Sequence, residues 1–523
     1  MKKITNLRTF LIYLALVAGM LILANLVSRR LFFRWDLTEN NIYTLSASSK
    51  AIIAKLDDRL LAKVFFSDNL PGQYANNRRY LQDILEEFQA YSKGQLHFEF
   101  YRPEDNDELE SEAQRYGIPP MQLQAIENDR MEIKNVWMGL ALLYEDKREV
   151  LPVIQTTSGL EYELASAIKK LIDTDRRSVG IAADPRWDGK NQNIRRVLGQ
   201  TYNVRTVNLD QPVPIDIDLL LVNGVMDSLP AMNLYNLDQF VMSGRPLLLA
   251  QNQVEVNLSR GRGQRIRSNF PDLLRHYGVE IKPNIIADRI SGQVAVETQR
   301  GIFRMRNTVD YPFFPRIQRF NADHVVVAGL EEVRLVFASE VMGAIDSSRA
   351  ETARFEPLMT TSDYTAVMRE PFFNFSFENN PVFQQLNGPG RAVAGLLRGE
   401  VTSYFTEDTQ PDEATGFIPA TMGAQLLVIG DGTFFSDESG AIRRENLELV
   451  LNAVDYLVGD EELIAIRSRE VTTRPLKELS DGTRRSLKWA NILGPSMLIV
   501  ATGLWRWRSN RKRRTLLEQI YGH

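Results

Sequence analysis

Two apolar segments, one near each end, constrain this chain more than any other feature. Thr9 to Ser28 runs for twenty residues and Trp489 to Trp505 for seventeen without a charged side chain. At about 1.5 Å of rise per helical residue, each crosses or nearly crosses a hydrocarbon core roughly 30 Å thick. The residues between them are ordinary in composition. With 62 Lys plus Arg against 66 Asp plus Glu and 44% hydrophobic residues, the body is globular, neither disordered nor a polyanion binder by bulk charge. The expected layout is a cytoplasmic N-terminus at 1–8, membrane helices at 9–28 and 489–505, a tether at 466–488 and a basic tail at 506–523.

Flanking charge sets the orientation. Arg506, Arg508, Arg511, Lys512, Arg513 and Arg514 follow the second segment, and short basic flanks stay on the cytoplasmic side. Lys2, Lys3 and Arg8 ahead of the first segment agree with that orientation, and Arg29, Arg30 and Arg34 behind it oppose it. Trp489, Trp505 and Trp507 occupy places where interfacial aromatics anchor a span. The reading is a two-pass protein of the bacterial inner membrane, both termini cytoplasmic and the body periplasmic. An uncleaved anchor suits the first segment better than a secretion signal, whose apolar run is about 7–15 residues.

The chain has no cysteine, which removes thiol nucleophiles, dithiol redox chemistry, disulfides and Cys-based zinc sites. Its four histidines, His97, His276, His324 and His523, are not at metal-ligand spacing. No phosphate-binding P-loop and no G-x-G-x-x-G after a strand occurs. The expectation is therefore a protein without a catalytic site, metal or cofactor.

Residues 29–175 read as one domain. Ser46 is placed to cap a helix over 47–55, 61–66 is a strand, and Leu81, Ile84, Leu85 and Phe88 form a helical stripe. A strand at 95–101, a short helix at 108–116 and a hairpin over 136–144 and 148–154 follow. Ser158 and Glu161 resemble a capping box before Leu160, Leu164, Ile168 and Leu171. This order looks thioredoxin-like, without the cysteine pair, since Ser67-Asp68-Asn69-Leu70-Pro71-Gly72 stands where it would be. Pro119 and Pro120 fall where that fold often has a cis-proline, and a plain turn explains them equally well.

Residues 176–465 change to short apolar strands alternating with helices: 178–182, 218–222 and 246–250, with helices at 191–198 and 233–243, and another unit in 425–430 with 446–457. That is an open Rossmann- or flavodoxin-like α/β domain, interrupted by an insertion at about 289–411 that includes a hydrophobic turn at Tyr311-Pro312-Phe313-Phe314-Pro315 and strand-like runs at 324–327 and 333–337. Ligands of such sheets bind beyond the carboxyl ends of the strands. Asp184, Arg186, Asn223, Gly224, Asp431, Ser436 and Asp437 fall there and form the lip of a candidate cleft, with Trp187 and Gly432 beside them. Helix caps and turns need the same residue types. Arg260 to Arg267 is a basic loop, able to touch a phosphate or acidic polymer, or simply solvated.

Taken in order, several short motifs carry a resemblance. Asp36-Leu37-Thr38 with Tyr43-Thr44-Leu45-Ser46, then Leu160-Glu161-Tyr162-Glu163-Leu164, Asp310 to Pro315, Thr360-Thr361-Ser362 and Gly430 to Asp437 are similar to the GldG-like auxiliary proteins of ABC transporters, named from gliding motility. The Gly- and Pro-bearing last apolar segment closed by Arg and Lys also fits. The resemblance covers nearly the whole chain. It implies an ABC ATPase and an ABC-2-type permease as partners, alongside membrane lipid, with the outward body coupling or binding substrate or envelope components. The rival expectations are a stand-alone scaffold for peptidoglycan or another envelope polymer, and a hydrolase using Asp184 and Asp431 as a carboxylate pair.

Overall fold

The computed structural model describes residues 44–521 except 69, 71–73, 75, 128–129, 158, 174–175, 301–302, 377–379, 438–443 and 468–480, together with residues 13, 14, 16, 17, 19 and 20. The chain divides into two compact units, Met1–Val471 and Thr472–His523. In the first, α1 (Ala47–Ile53) is capped by Ser46, whose hydroxyl accepts from Ser49 N at 3.0 Å. There follow β1 (Leu60–Phe66), α2 (Asn77–Tyr91), β2 (Leu96–Tyr101), α3 (Asp107–Arg115), β3 (Met121–Glu127), β4 (Arg130–Val136), β5 (Met138–Tyr144), β6 (Lys147–Leu151) and α4 (Leu160–Ile172). The sheet order is β2-β1-β5-β6, with β1 parallel to β2 and antiparallel to β5.

The helical stripe behaves as its spacing requires. Leu81, Ile84, Leu85 and Phe88 of α2 and Leu160, Leu164, Ile168 and Leu171 of α4 are buried in one core with Leu60, Val64 and Leu140 of the sheet. The β3–β4 hairpin, absent from the sequence reading, forms a two-stranded sheet of its own among the described residues. Pro119 and Pro120 are not in cis linkage; among the described residues the cis peptide is Glu370–Pro371. Ser158 lies outside the described residues. Glu161 is buried and accepts from Ser46 N at 2.7 Å and Ser49 Oγ at 2.6 Å, so it ties α4 to the start of α1.

The next layer is built from β7 (Ser178–Ala182), α5 (Gln192–Leu198), β8 (Asn203–Val207), β9 (Leu219–Val222), α6 (Ala231–Met242) and β10 (Leu247–Ala250). A long excursion follows: β11 (Val254–Asn257), β12 (Arg262–Arg265), α7 (Phe270–Tyr277), β13 (Val279–Ile281), β14 (Asn284–Asp288), β15 (Ser291–Arg300), β16 (Phe303–Ile317), β17 (Arg319–Phe320), β18 (Val333–Arg334), β19 (Val341–Gly343), β20 (Ala353–Thr360), β21 (Thr365–Arg369) and β22 (Ala392–Thr402). The unit closes with β23 (Ala420–Ile429), α8 (Arg444–Leu457) and α9 (Glu461–Arg467).

One eight-stranded sheet runs β17-β20-β22-β23-β10-β9-β7-β8. Its strands from β23 to β8 are parallel, and β22, β20 and β17 extend it antiparallel. The runs Leu219–Val222 and Leu247–Ala250 are apolar at every position because both faces are covered. Leu219, Leu221 and Leu248 face α5 and α8, and Leu220, Leu247 and Leu249 face α6 and α7. The excursion thus lends β17, β20 and β22 to this sheet, a pairing that local periodicity does not encode.

Two expectations for the excursion are corrected. Tyr311 to Pro315 lies inside β16, where Tyr311 and Phe313 share the inward face and join Phe337 and Phe375 in an aromatic core. Pro315 sits opposite Ser291, where the register shifts, a bulge that accommodates a residue lacking an amide donor. Val325–Val327 forms a short 3-10 turn after His324, and only Val333–Arg334 of the 333–337 run is a strand.

The second unit holds α10 (Asp481–Tyr521), a 41-residue helix interrupted in sequence by Pro495. Within it Arg485–Arg511, 27 residues, is long and apolar enough to cross a membrane, and it extends past both ends of the 489–505 segment. Trp489, Trp505 and Trp507 are exposed on it, and the Arg511 guanidinium lies 5.2 Å from the Trp507 ring. Most of the first apolar segment lies outside the described residues; Tyr13, Leu14, Leu16, Val17 and Met20 within it are helical with exposed side chains. Of the tether residues, Ile466 and Arg467 end α9, 468–480 lie outside the described residues, and 481–488 belong to α10.

α8 and α9 join the two layers of the first unit. α8 packs on the eight-stranded sheet, whereas Leu463 and Ile466 of α9 enter the core of the four-stranded layer. Between them Arg467 NH2 meets Asp455 Oδ2 at 2.8 Å, with side chains 9% and 1% exposed. Tyr162 OH accepts from the same guanidinium at 2.7 Å, and Tyr202 OH donates to Asp455 Oδ1 at 2.5 Å. Burial raises the Asp455 carboxyl pKa, against the opposing pull of Arg467 and Tyr202. Burial also works against the Arg467 charge, and Asp455 and Tyr162 together more than offset it, leaving that pKa above its ordinary value. Arg467→Met leaves a buried carboxylate without its cation, and denaturant unfolding should show a loss of about 3–5 kcal/mol. Arg205→Gln, which breaks an exposed pair with Asp216 at 2.7 Å, should cost under about 1 kcal/mol.

Candidate functional site

The carboxyl ends of the parallel strands lead into loops that touch one another. β9 runs into Asn223 and Gly224, and β23 into Gly430, Asp431 and Gly432. Gly224 N donates to Gly432 O at 3.1 Å, so the two loops touch through backbone. A Cβ on Gly224 would stand 2.6 Å from that carbonyl oxygen and 2.9 Å from Gly432 Cα, which only a hydrogen in its place allows. The loop after β7 leans on the same point. Trp187 Nε1 donates to Gly224 O at 3.1 Å, and Arg186 pairs with Asp227.

The carboxylates hold turns rather than face a common cleft. Asp184 Oδ1 accepts from Arg186 N at 2.9 Å, an Asx turn. Asp431 is 0% exposed; its Oδ2 accepts from Val336 N at 2.7 Å and its Oδ1 from Thr433 N at 2.9 Å and Thr433 Oγ1 at 2.8 Å. Asp437 accepts from Gln192 N at 2.7 Å and Asn193 N at 3.2 Å, which caps the first turn of α5 from 244 residues away. Ser436 is buried, with its amide on Thr433 O at 2.9 Å. Asp184 and Asp431 therefore form no solvent-facing acid–base pair, and the carboxylate-hydrolase expectation loses the pair it relied on. Among the described residues no group of three or more His, Asp or Glu could hold a metal ion.

Uncommitted polarity at these strand ends lies on amides. Asn223 is 6% exposed, and neither Oδ1 nor Nδ2 has a hydrogen-bond partner among the described residues. Asn252, past the end of β10, uses Nδ2 on Val254 O at 3.1 Å but leaves Oδ1 without a partner. One Arg186 nitrogen, NH1, is likewise buried and unpaired. Buried polar atoms left so are rare, because each costs about 1–3 kcal/mol. This arrangement can offer amide donors and acceptors to a polar ligand. Asn252 was missed in the sequence, although the same rule, residues just past a strand's carboxyl end, points to it.

Two concavities open at the other end of the sheet. Two adjoining hollows of about 670 and 560 Å³ share Arg176 and Tyr202 and are bounded by Ser178, Asn203 and Asp218 at the amino ends of β7, β8 and β9. Lys169, Lys170, Arg176 and Arg177 line them, but each has a carboxylate within 3.3 Å: Asp460, Glu149, Glu149 and Asp218 respectively. These hollows are the seam between the two layers.

Two measurements follow from this geometry. Gly224→Ala forces the Gly432 loop to move and should lower stability by about 1–3 kcal/mol, read as a drop in melting temperature. Burial pushes the Asp431 carboxyl up to about 6. The folded state then binds a proton that the unfolded state, near 3.9, has released, so this group stabilises most below about pH 4. That contribution is lost as pH rises past 6, roughly 2–3 kcal/mol in all. Asp431→Asn should flatten that part of the stability profile between pH 4 and 7.

Comparison with known proteins places this architecture. The family described as "ABC-type uncharacterized transport system" matches residues 173–458, and a domain of unknown function (DUF7088) matches residues 39–143. An uncharacterized protein of Borreliella burgdorferi is 23% identical over 498 residues, covering 92% of this chain and 94% of its own. Solved structures are more distant. The N-terminal domain of mmIFT52 is 13% identical, covers 54% of this chain and 97% of its own, and has a TM-score of 0.32. A ThuA-like protein of Parabacteroides merdae is 12% identical, covers 58% and 95%, and has a TM-score of 0.26. Because the family match spans more than half of the chain, this protein belongs to the family of auxiliary components of ABC-type uncharacterized transport systems.

Proposed function

We propose that this protein is a non-catalytic, membrane-anchored auxiliary subunit that serves an ABC-2-type permease and an ABC ATPase supplied by other chains, in the manner of the GldG-like proteins. The family match over residues 173–458 carries this reading. The body contributes coupling rather than chemistry. In support, the candidate cleft's carboxylates are engaged by backbone amides, and a single buried Arg467 grips both layers at the last described residue before the segment leading to α10.

In this reading the first layer is thioredoxin-like, as the order β2-β1-β5-β6 with its one parallel pair supports. The second is flavodoxin-like, supported by the parallel order β8-β7-β9-β10-β23. Asn223, Gly224 and Arg186 then lie near its switch point, where a small polar ligand or envelope component would bind. Residues 9–28 form a second span, so both termini are cytoplasmic and the body is periplasmic. Gly494 and Gly503 have no neighbouring atom within 4 Å where a Cβ would stand, which leaves α10 a face for close approach by a permease helix.

Detergent extraction and affinity purification of the full chain should recover both the ATPase and the permease. Gly494→Leu with Gly503→Leu should reduce permease recovery severalfold without changing the melting temperature of the body. Recovery of the chain alone under conditions that keep the membrane complex intact would defeat the proposal.

A further inference from the structure

The hairpin β11–β12 carries charge and apolar surface that neither the fold nor the crevice uses. Arg260, Arg262, Arg265 and Arg267 are all exposed. The segment is fixed on both sides: Asn257 pairs with Arg262 and Val254 with Arg265 across the hairpin. On its other edge Gly263 N donates to Phe373 O at 3.3 Å and Phe375 N to Gly261 O at 3.0 Å. A Cβ on Gly263 would meet the Phe375 ring at 2.7 Å, so glycine lets the strand lie on the aromatic core. A solvated mobile loop is not what the structure contains.

Two features of this edge point outward. Among the described residues only Arg265 of the four arginines has an ion-pair partner, Glu370 at 3.5 Å; Arg260, Arg262 and Arg267 have none. Beside them Phe372, in the turn that leads into the segment bridged to Arg262, is 81% exposed, and Leu258 at the hairpin tip is 47% exposed. Guanidinium forks match phosphate oxygens, and an aromatic and a leucine among cations suit the boundary between headgroups and acyl chains.

We propose that this edge docks on anionic phospholipid, the arginines on headgroup phosphates and Phe372 with Leu258 in the interface. An acidic polymer would satisfy the arginines yet leave Phe372 in water. The chain also carries its own candidate span, Arg485–Arg511, which keeps a lipid surface at high effective concentration. The docking requires no transporter partner, so its failure and that of the subunit reading are separable.

Because the chain has no cysteine, Phe372→Cys gives a unique site for an environment-sensitive fluorophore. In the full chain reconstituted into nanodiscs of phosphatidylcholine with phosphatidylglycerol, the label should shift to the blue and be quenched by spin-labelled lipid. In phosphatidylcholine alone, or at about 1 M salt, it should stay water-like. Each arginine changed to glutamine should lower the docked-to-free ratio about fivefold. Combining R260Q, R262Q, R265Q and R267Q should therefore abolish the shift at unchanged melting temperature. A water-like label in the anionic discs, an equal shift in both lipids, or a shift that survives the four substitutions would overturn the proposal. So would a shift that appears only when a permease or ATPase is added, which would assign the edge to an acidic protein face.

Discussion

A buried arginine and aspartate decide how the two layers of the body behave as one. Arg467 and Asp455 meet at 2.8 Å almost out of contact with water, with Tyr162 from the first layer and Tyr202 and Asn452 from the second as further partners. Such a pair gains little over apolar side chains of the same shape, but breaking it strands a charge. Its value is in what it joins. α8 belongs to the core of the eight-stranded sheet and α9 to that of the four-stranded layer, so any displacement of one layer must open this ion pair or carry the other layer along. Lys169 repeats the logic nearby, reaching Asp460 at 3.1 Å across the same seam.

The short motifs that suggested a family resolve, in the structure, into buried polar fastenings. Glu161 holds Ser46 and Ser49, Asp431 holds the Val336 and Thr433 amides, and Ser362 donates to Asp288 at 2.6 Å. Each is an acid or hydroxyl taken out of water and satisfied at least in part by a group remote in sequence, the condition under which burial of a polar group is tolerated. Asn223 departs from this pattern: it is buried and lacks any partner among the described residues. That contrast separates the crevice from the scaffold more clearly than its carboxylates do.

Legibility followed the range of the forces involved. Leu81, Ile84, Leu85 and Phe88 announce a helix face because a 3.6-residue period is a local property, and the all-apolar runs at 219–222 and 247–250 announce strands covered on both sides. β8 has no such signature because Asn203–Val207 is a sheet edge whose first four residues are exposed or half-exposed and mostly polar. Tyr311 to Pro315 reads locally as a hydrophobic turn, yet a bulge opposite Ser291 lets Pro315 lie in a strand whose aromatic faces bury. The strand-end rule names residues that follow β7, β9 and β23, while their engagement by distant amides, such as Asp437 on the start of α5, has no local signature.

Composition and periodicity alone determined that this chain has apolar ends, a globular α/β middle, and no thiol or nucleotide-loop chemistry, because those are properties of residue type and nearest neighbours. Only the tertiary structure decided that β10 pairs with β23 across the whole excursion, Leu247 opposite Leu426, and that the excursion adds β17, β20 and β22 to the same sheet. It alone decided that Arg467, in the last turn of its helix, is a buried clasp rather than part of a loose tether. Strand partners and ion pairs are chosen by long-range packing, where loop closure costs grow slowly with chain length and the deciding term is which apolar faces and charges can be buried together.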